Sequence, residues 1–254
     1  MGQVLVDRQR KPAGLTEAGL RFMTQAQDAL RELHSARESL RSLGPVEGGL
    51  RLATGRTLAR TWVADWLPRL VAQARPAWVQ VRTGSLAETL AWLEGEQTDL
   101  LVAYFHPSIA QRPQGRGLLQ KVLARDRLVP VIKRRLEWRR PARGPRSAPI
   151  PFLAYAPSLA LAGLVQDHLD RCPSPVPLRK VLECDSADAL MEYVLKGMGV
   201  CWLPWSLVAA SCKKGLLQPL WDSSMEIGFE VRLVRRRGRL EPLAEKIWDS
   251  VPNR

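Results

Sequence analysis

Residues 50–103 read LRLATGRTLARTWVADWLPRLVAQARPAWVQVRTGSLAETLAWLEGEQTDLLVA. Three short apolar runs, at 50–53, 78–82 and 99–103, alternate with two longer stretches, at 58–73 and 85–93. Short runs bounded by turn residues read as strands. Longer stretches with apolar residues three and four apart read as amphipathic helices. Ser85 is placed to cap the second helix with its hydroxyl. Strands separated by helices cannot pair through tight hairpins, so the order β-α-β-α-β predicts a parallel sheet with helices on its faces.

The pattern continues outward. Residues 122–132 read as a strand with Pro130 in its middle. A proline there has no N–H to give, so it is expected to interrupt pairing and to suit a crossover between two lobes. A second unit follows: a strand at 152–155, a helix from Ser158 to about 171, a strand at 178–182, a helix capped by Ser186, a strand at 199–203, and a helix opened by Pro204 at its first position. A strand at 226–234 and a helix at 240–251 close the chain. The expected fold is α/β with two lobes joined by two crossovers, the architecture of periplasmic binding proteins. Lobe I would span about 48–130 and 226–254, lobe II about 131–225, with a ligand cleft at the strand C-terminal ends.

Residues 1–15 suggest a small hairpin, with Lys11-Pro12 and Gly14 as punctuation. Thr16 then caps a helix whose apolar residues Leu20, Met23, Ala26, Leu30, Leu33, Ala36, Leu40 and Leu43 form one stripe. Gly44-Pro45 ends it. A helix over 16–43 spans about 42 Å. So narrow a stripe on so long a helix suits pairing with a second chain, through Leu20, Met23, Leu30, Leu33 and Leu40.

The composition excludes several classes. Of 254 residues, 46% are hydrophobic and 25% charged, which is ordinary for a globular chain. The longest apolar stretch, 197–210, is broken by Pro204, which argues against a membrane span. The first residues lack a secretory h-region, so a cytoplasmic location is expected. Cys172, Cys184, Cys201 and Cys212 show no CxxC spacing and read as reduced thiols, with a Cys184–Cys201 redox pair as the sharper alternative. Met191 and Met198 read as helix-face core rather than oxidation sensors. His34 and His168 read as exposed helix residues. No GxSxG, HExxH, phosphate-binding glycine loop or Cys/His cluster is present, so neither an enzyme nor a metal or other cofactor is expected. The net charge of +13 fits a polyanionic partner, but the segment 133–146, KRRLEWRRPARGPR, carries seven basic residues against one acid and reads as a solvated loop.

Residues 1–8, MGQVLVDR, followed by Leu15-Thr16-Glu17-Ala18-Gly19 and a long striped helix, resemble the wing and linker of LysR-type transcriptional regulators. GGLRLATG at 48–55, TGSLAETLAWLEGEQTDLLVAY at 83–104, DRLVPV at 126–131 and DSADALMEYVLKGMGVCWLPWSLV at 185–208 resemble the family's effector domain throughout. The last segment is most similar to a hypochlorite-responsive subgroup.

The resemblance implies three parts: a wing remnant at 1–15, a linker and dimerisation helix at 16–44, and an effector domain at 48–254. It also implies that the helices that read base edges would precede Met1, leaving DNA binding weak or absent in this stretch. Arg8, Arg10 and Lys11 of the wing would meet only DNA backbone. The implied partners are DNA in a full-length form, a second or fourth copy of the chain, and a small effector, anionic if Arg56 pairs with it.

Carried over position by position, the implied effector site comprises Thr54, Arg56 and Thr57 after the first strand, and Thr83, Gly84 and Ser85 after the second. The third strand ends in Tyr104, Phe105 and His106, of which His106 is the titratable candidate. The second lobe gives Ser158, Asp185, Ser186 and Trp202. Backbone N–H groups of 83–85 are expected to cradle an anion. The plain readings stay open: Ser85, Ser158 and Ser186 as caps, His106 as a loop histidine, and Arg56 as a structural ion pair. A solute-binding module of the same fold is the competing function.

Overall fold

The computed structural model describes residues 4–7, 14–41, 49–76, 78–109, 117–134, 149–173 and 176–252. The chain divides into two compact units, Met1–Glu47 and Gly48–Arg254.

In the first unit, β1 (Val6–Asp7) pairs antiparallel with β2 (Gly14–Leu15). Thr16 joins this ribbon to α1 (Glu17–Arg41). Its hydroxyl donates to the Val4 carbonyl (2.7 Å) and accepts from the Gly19 N–H (3.0 Å), satisfying one of the free donors of the first turn. A Cβ at Gly19 would run into the Leu5 carbonyl, which explains the glycine that closes the LTEAG run. Leu20, Met23 and Leu33 are exposed on α1, and so is Phe22, which lies off the stripe. The side chains of Leu30 and Leu40, and residues Arg8, Arg10 and Lys11, lie outside the described residues.

The second unit carries the parallel sheet. β3 (Gly49–Thr54) pairs in parallel with β4 (Trp78–Thr83) and with β5 (Leu100–Phe105). Asp99, just before β5, fastens the two: its carboxylate accepts from the Arg51 N–H (2.8 Å) and from the Arg51 guanidinium (2.6 Å). Between β3 and β4 a helix starts earlier than its apolar pattern suggests. It runs as α2 (Arg56–Leu58), a π-turn at Ala59–Val63, and α3 (Ala64–Ala74). α4 (Leu86–Glu94) follows Ser85, which forms a full capping box with Glu88.

The 16-residue strand β6 (Leu118–Lys133) belongs to both lobes. Up to Leu128 it pairs antiparallel with β11 (Ile227–Arg236), which also pairs with β5. From Leu128 it pairs with β9 (Cys201–Pro204), and from Val131 with β10 (Leu217–Pro219). Pro130 does not interrupt it. The residue sits opposite Trp202, and its carbonyl still accepts from the Leu220 N–H (2.8 Å). The proline marks the stretch where the strand has changed partners, not a break.

In the second lobe β7 (Ile150–Tyr155) pairs in parallel with β8 (Leu178–Cys184), and Phe152 bridges to Val200 at the entry to β9. Gly199 has no room for a side chain there, because a Cβ would strike the Pro151 carbonyl. α5 (Ala160–Asp170), α6 (Ala187–Leu195) and α7 (Trp205–Lys213) complete this lobe, and α8 (Pro242–Ser250) packs on α3 in the first. Two local expectations fail. Pro204 ends β9 and caps α7 rather than occupying its first turn. α5 is capped at Leu159 with no side-chain bond, so Ser158 is not its cap.

Trp202 is fully buried at the centre of the core. Its indole N–H donates to the Met225 carbonyl (2.8 Å), and its own carbonyl accepts from the Tyr155 hydroxyl (2.7 Å). Phe152 meets it edge-on at 5.8 Å and Trp221 lies at 5.5 Å. All four cysteines are free. Burial pushes the Cys201 thiol well up, so it has little thiolate with which to act as a redox centre. Met191 is core, as its spacing predicts, but Met198 is exposed. His168 is half-buried rather than exposed, and burial lowers its pKa. Among the described residues, no helix is long and apolar enough to cross a membrane.

Candidate functional site

A cavity of about 240 Å3 lies between the lobes. Lobe I contributes Gly55, Arg56, Thr57 and Leu58 from the turn into α2, Gly84 and Ser85 with the first turn of α4, and Val102 to Tyr104 from the end of β5. Lobe II contributes Ser158 to Leu161 at the start of α5 and Asp185 to Ala187 at the start of α6. The cavity therefore sits where strand C-terminal ends and helix N-termini of both lobes converge, the usual ligand position in open α/β sheets.

Seven of the eleven residues expected here line it: Arg56, Thr57, Gly84, Ser85, Ser158, Asp185 and Ser186. Four do not. Thr54 is buried with its hydroxyl committed to the Val102 carbonyl (3.0 Å). Thr83 is exposed on β4. His106 turns into its own loop, where Nδ1 accepts from the Ser108 N–H (3.1 Å); burial lowers its pKa against an opposing pull from Asp167. Trp202 belongs to the core described above. Its place near a crossover suggested the cleft, but a large apolar ring gains more from full burial.

The polar groups differ in how free they are. The anion cradle expected at 83–85 is already filled. The Gly84 N–H donates to the Thr54 carbonyl (3.1 Å), and the Ser85 N–H and hydroxyl both donate to the Glu88 carboxylate (2.8 and 2.7 Å). Ser186 Oγ accepts from the Ala189 N–H (3.3 Å) as the α6 cap. Arg56 and Asp185, by contrast, are exposed and make no ion pair among the described residues.

The end of β5 holds a buried polar group. The Tyr104 ring stacks edge-on against Phe229 at 5.1 Å, and its hydroxyl is buried with no hydrogen-bond partner among the described residues. Burial raises its pKa far above the ordinary phenol value, and the charges of Asp126 and Asp188 add to this, so it remains a neutral donor. A buried unpaired hydroxyl costs roughly 1–3 kcal/mol.

Two contacts tie the lobes together near the cavity. Arg60 in the π-turn pairs with Asp188 of α6, which also accepts from the Thr57 hydroxyl (3.4 Å). Ser108 donates to Asp167 of α5 (2.7 Å). Neither Arg60, Asp188 nor Glu88 stands out in the sequence, since each looks like a solvated helix charge.

The fold and this cavity define a two-lobed α/β ligand-binding domain of the periplasmic-binding-protein type. Residues 44–254 match the family described as LysR substrate binding domain. The chain is 24% identical over 263 residues to the HTH-type transcriptional regulator IlvY of Escherichia coli strain K12, covering all of this chain and 85% of the relative. Its fold is similar to that of Vibrio fischeri DarR, solved in complex with DNA (TM-score 0.67, 20% identity, 98% of this chain and 82% of that one). Full-length HypT from Salmonella typhimurium, a hypochlorite-specific LysR-type regulator, is similar to the same extent (TM-score 0.65, 22% identity, 98% and 82%). The chain belongs to the LysR family and contains the effector-binding portion of a LysR-type transcriptional regulator.

Proposed function

We propose that this protein senses a small molecule in the cleft between its lobes and transmits binding to DNA through an oligomer assembled on α1. The observation that carries the sensing half is the cavity itself, where strand C-terminal ends and helix N-termini of both lobes converge and Arg56 of one lobe and Asp185 of the other line the same space. Arg56, Thr57, Ser158, Asp185 and Ser186 are the side chains that would surround the ligand.

The assembly half rests on α1, whose Leu20, Phe22, Met23 and Leu33 are exposed on a 25-residue helix. Such a face suits a coiled-coil partner, and a second copy supplies the same face by symmetry. The DNA half rests on family membership and on the DNA complex of DarR. Arg8, Arg10 and Lys11 would add only sequence-independent backbone contacts. A cytoplasmic location follows from the same role.

Light scattering of the purified protein, with a Leu20→Glu/Met23→Glu double variant beside it, tests assembly. A dimer or tetramer that falls to monomer in the variant supports this reading. A wild-type monomer would favour a solute-binding module of the same fold. A thermal-shift screen of small anions, zwitterions and oxidants tests sensing, with Arg56→Gln and Asp185→Asn as controls. A ligand whose shift survives both changes does not occupy this cavity.

A further inference from the structure

The cavity is lined by both charged and apolar side chains. Leu58, Val102 and Leu161 are buried and form an uncharged floor. Above it, the two lobes present opposite charges. Arg56 comes from the turn after β3 in lobe I, and Asp185 from the turn after β8 in lobe II. Both side chains are exposed, and neither is ion-paired with the other or with any other described residue.

Arg60 and Asp188, which flank the cavity, are spent on each other. The other charged group in the cavity, Glu88, is held by Ser85. The helix N-terminus that would otherwise take an anion is thereby neutralised. What remains to recognise a ligand is one guanidinium on one lobe and one carboxylate on the other.

Resting on the reading of this cleft as the effector site, we infer that the effector is zwitterionic: an α-amino acid with an uncharged side chain. Its carboxylate pairs with Arg56, and its ammonium with Asp185. The side chain lies on Leu58, Val102 and Leu161. The volume, about 240 Å3, is below the roughly 300–1,000 Å3 of drug-sized sites and suits a ligand of this scale. The two charges come from different lobes, so a molecule carrying both signs bridges the lobes, whereas one carrying a single sign leaves the opposite charge desolvated and unpaired when the cleft closes. A site built around a polar group rejects the analogue that lacks it far more strongly than it rejects a missing methylene.

Calorimetric titration of the full chain with a panel of uncharged amino acids, each beside its des-amino acid and its decarboxylated amine, tests this. For leucine the matched probes are 4-methylpentanoate and 3-methylbutylamine. The expected result is an amino acid that binds at least about 10-fold tighter than either matched probe, a gap of about 1.4 kcal/mol. Asp185→Asn should erase the preference over the des-amino acid, and Arg56→Gln the preference over the amine, with circular dichroism confirming that both variants fold. A des-amino acid that binds as tightly as its amino acid overturns the zwitterion. If that binding is lost in Arg56→Gln, the cleft is still the effector site. Amino-acid binding untouched by both Arg56→Gln and Asp185→Asn overturns both. Failure of every amino acid in the panel to bind also overturns the assignment.

Discussion

Arg60 Nη1 and Asp188 Oδ1 lie 2.5 Å apart and join the π-turn of lobe I to α6 of lobe II. Thr57, three residues before Arg60, donates to the same carboxylate and also lines the cavity. The pair is half exposed on the arginine side, so water screens it and its contribution to global stability is small, about 0–1 kcal/mol. Its effect should fall instead on the angle between the lobes. Asp188→Asn is expected to leave the melting temperature nearly unchanged while shifting the ligand-free protein toward a more open arrangement. Small-angle scattering should register a larger radius of gyration, and hydrogen exchange should rise at the starts of α5 and α6. Unchanged exchange there would show that the pair does not hold the lobes.

Tyr104→Phe removes an oxygen with no hydrogen-bond partner among the described residues. The ring, with its edge-on contact to Phe229, is retained. The variant should therefore be as stable as the wild type, or more stable by up to about 1–3 kcal/mol, since an unsatisfied buried group is gone. Chemical denaturation checks this. A destabilised apo variant would mean that the hydroxyl has a structural partner.

These assignments indicate how far the sequence can be read. The β-α-β-α-β order at 50–103 and the caps Ser85 and Ser186 were legible, because period and capping are local properties. Seven of the residues that the family resemblance implies line the cavity, since they sit at strand ends and helix starts and the fold brings such turns together. What local pattern cannot show is which groups are already spent. Thr54 and Ser85 look like free donors until their partners, Val102 and Glu88, are seen. Trp202 looks like a cleft residue until the second lobe closes over it. Arg60 and Asp188 are 128 positions apart, and nothing in either neighbourhood points to the other.

Trp202 also sets a stability expectation. Its ring is fully buried, its N–H is bonded to Met225, and its carbonyl holds Tyr155. Trp202→Ala leaves a large void and an unpaired Met225 carbonyl, and should cost about 3–5 kcal/mol. Trp202→Phe keeps most of the apolar volume and should cost less, chiefly the lost hydrogen bond. Urea unfolding followed by far-ultraviolet circular dichroism checks both. A near-neutral alanine variant would place Trp202 outside the core.

The acid limb of stability should depend on Glu245. Its carboxylate accepts from the buried Arg235 guanidinium and from the Leu240 N–H (3.0 Å), anchoring the start of α8. The Arg235 hydrogen bond is the main reason that its pKa lies below the ordinary value of 4.5, with the Leu240 bond second. A carboxyl depressed in the folded state favours folding above its unfolded pKa, and that contribution disappears as pH falls through the folded value. The window is therefore below about pH 4.5, where the folded protein must give up a contact that the unfolded chain never had. Glu245→Gln should lower the melting temperature at pH 7, because Arg235 is only 8% exposed and loses its counter-charge. The difference between variant and wild type should shrink steadily from pH 5 to pH 3. Parallel melting curves at every pH would show that Glu245 does not set this limb.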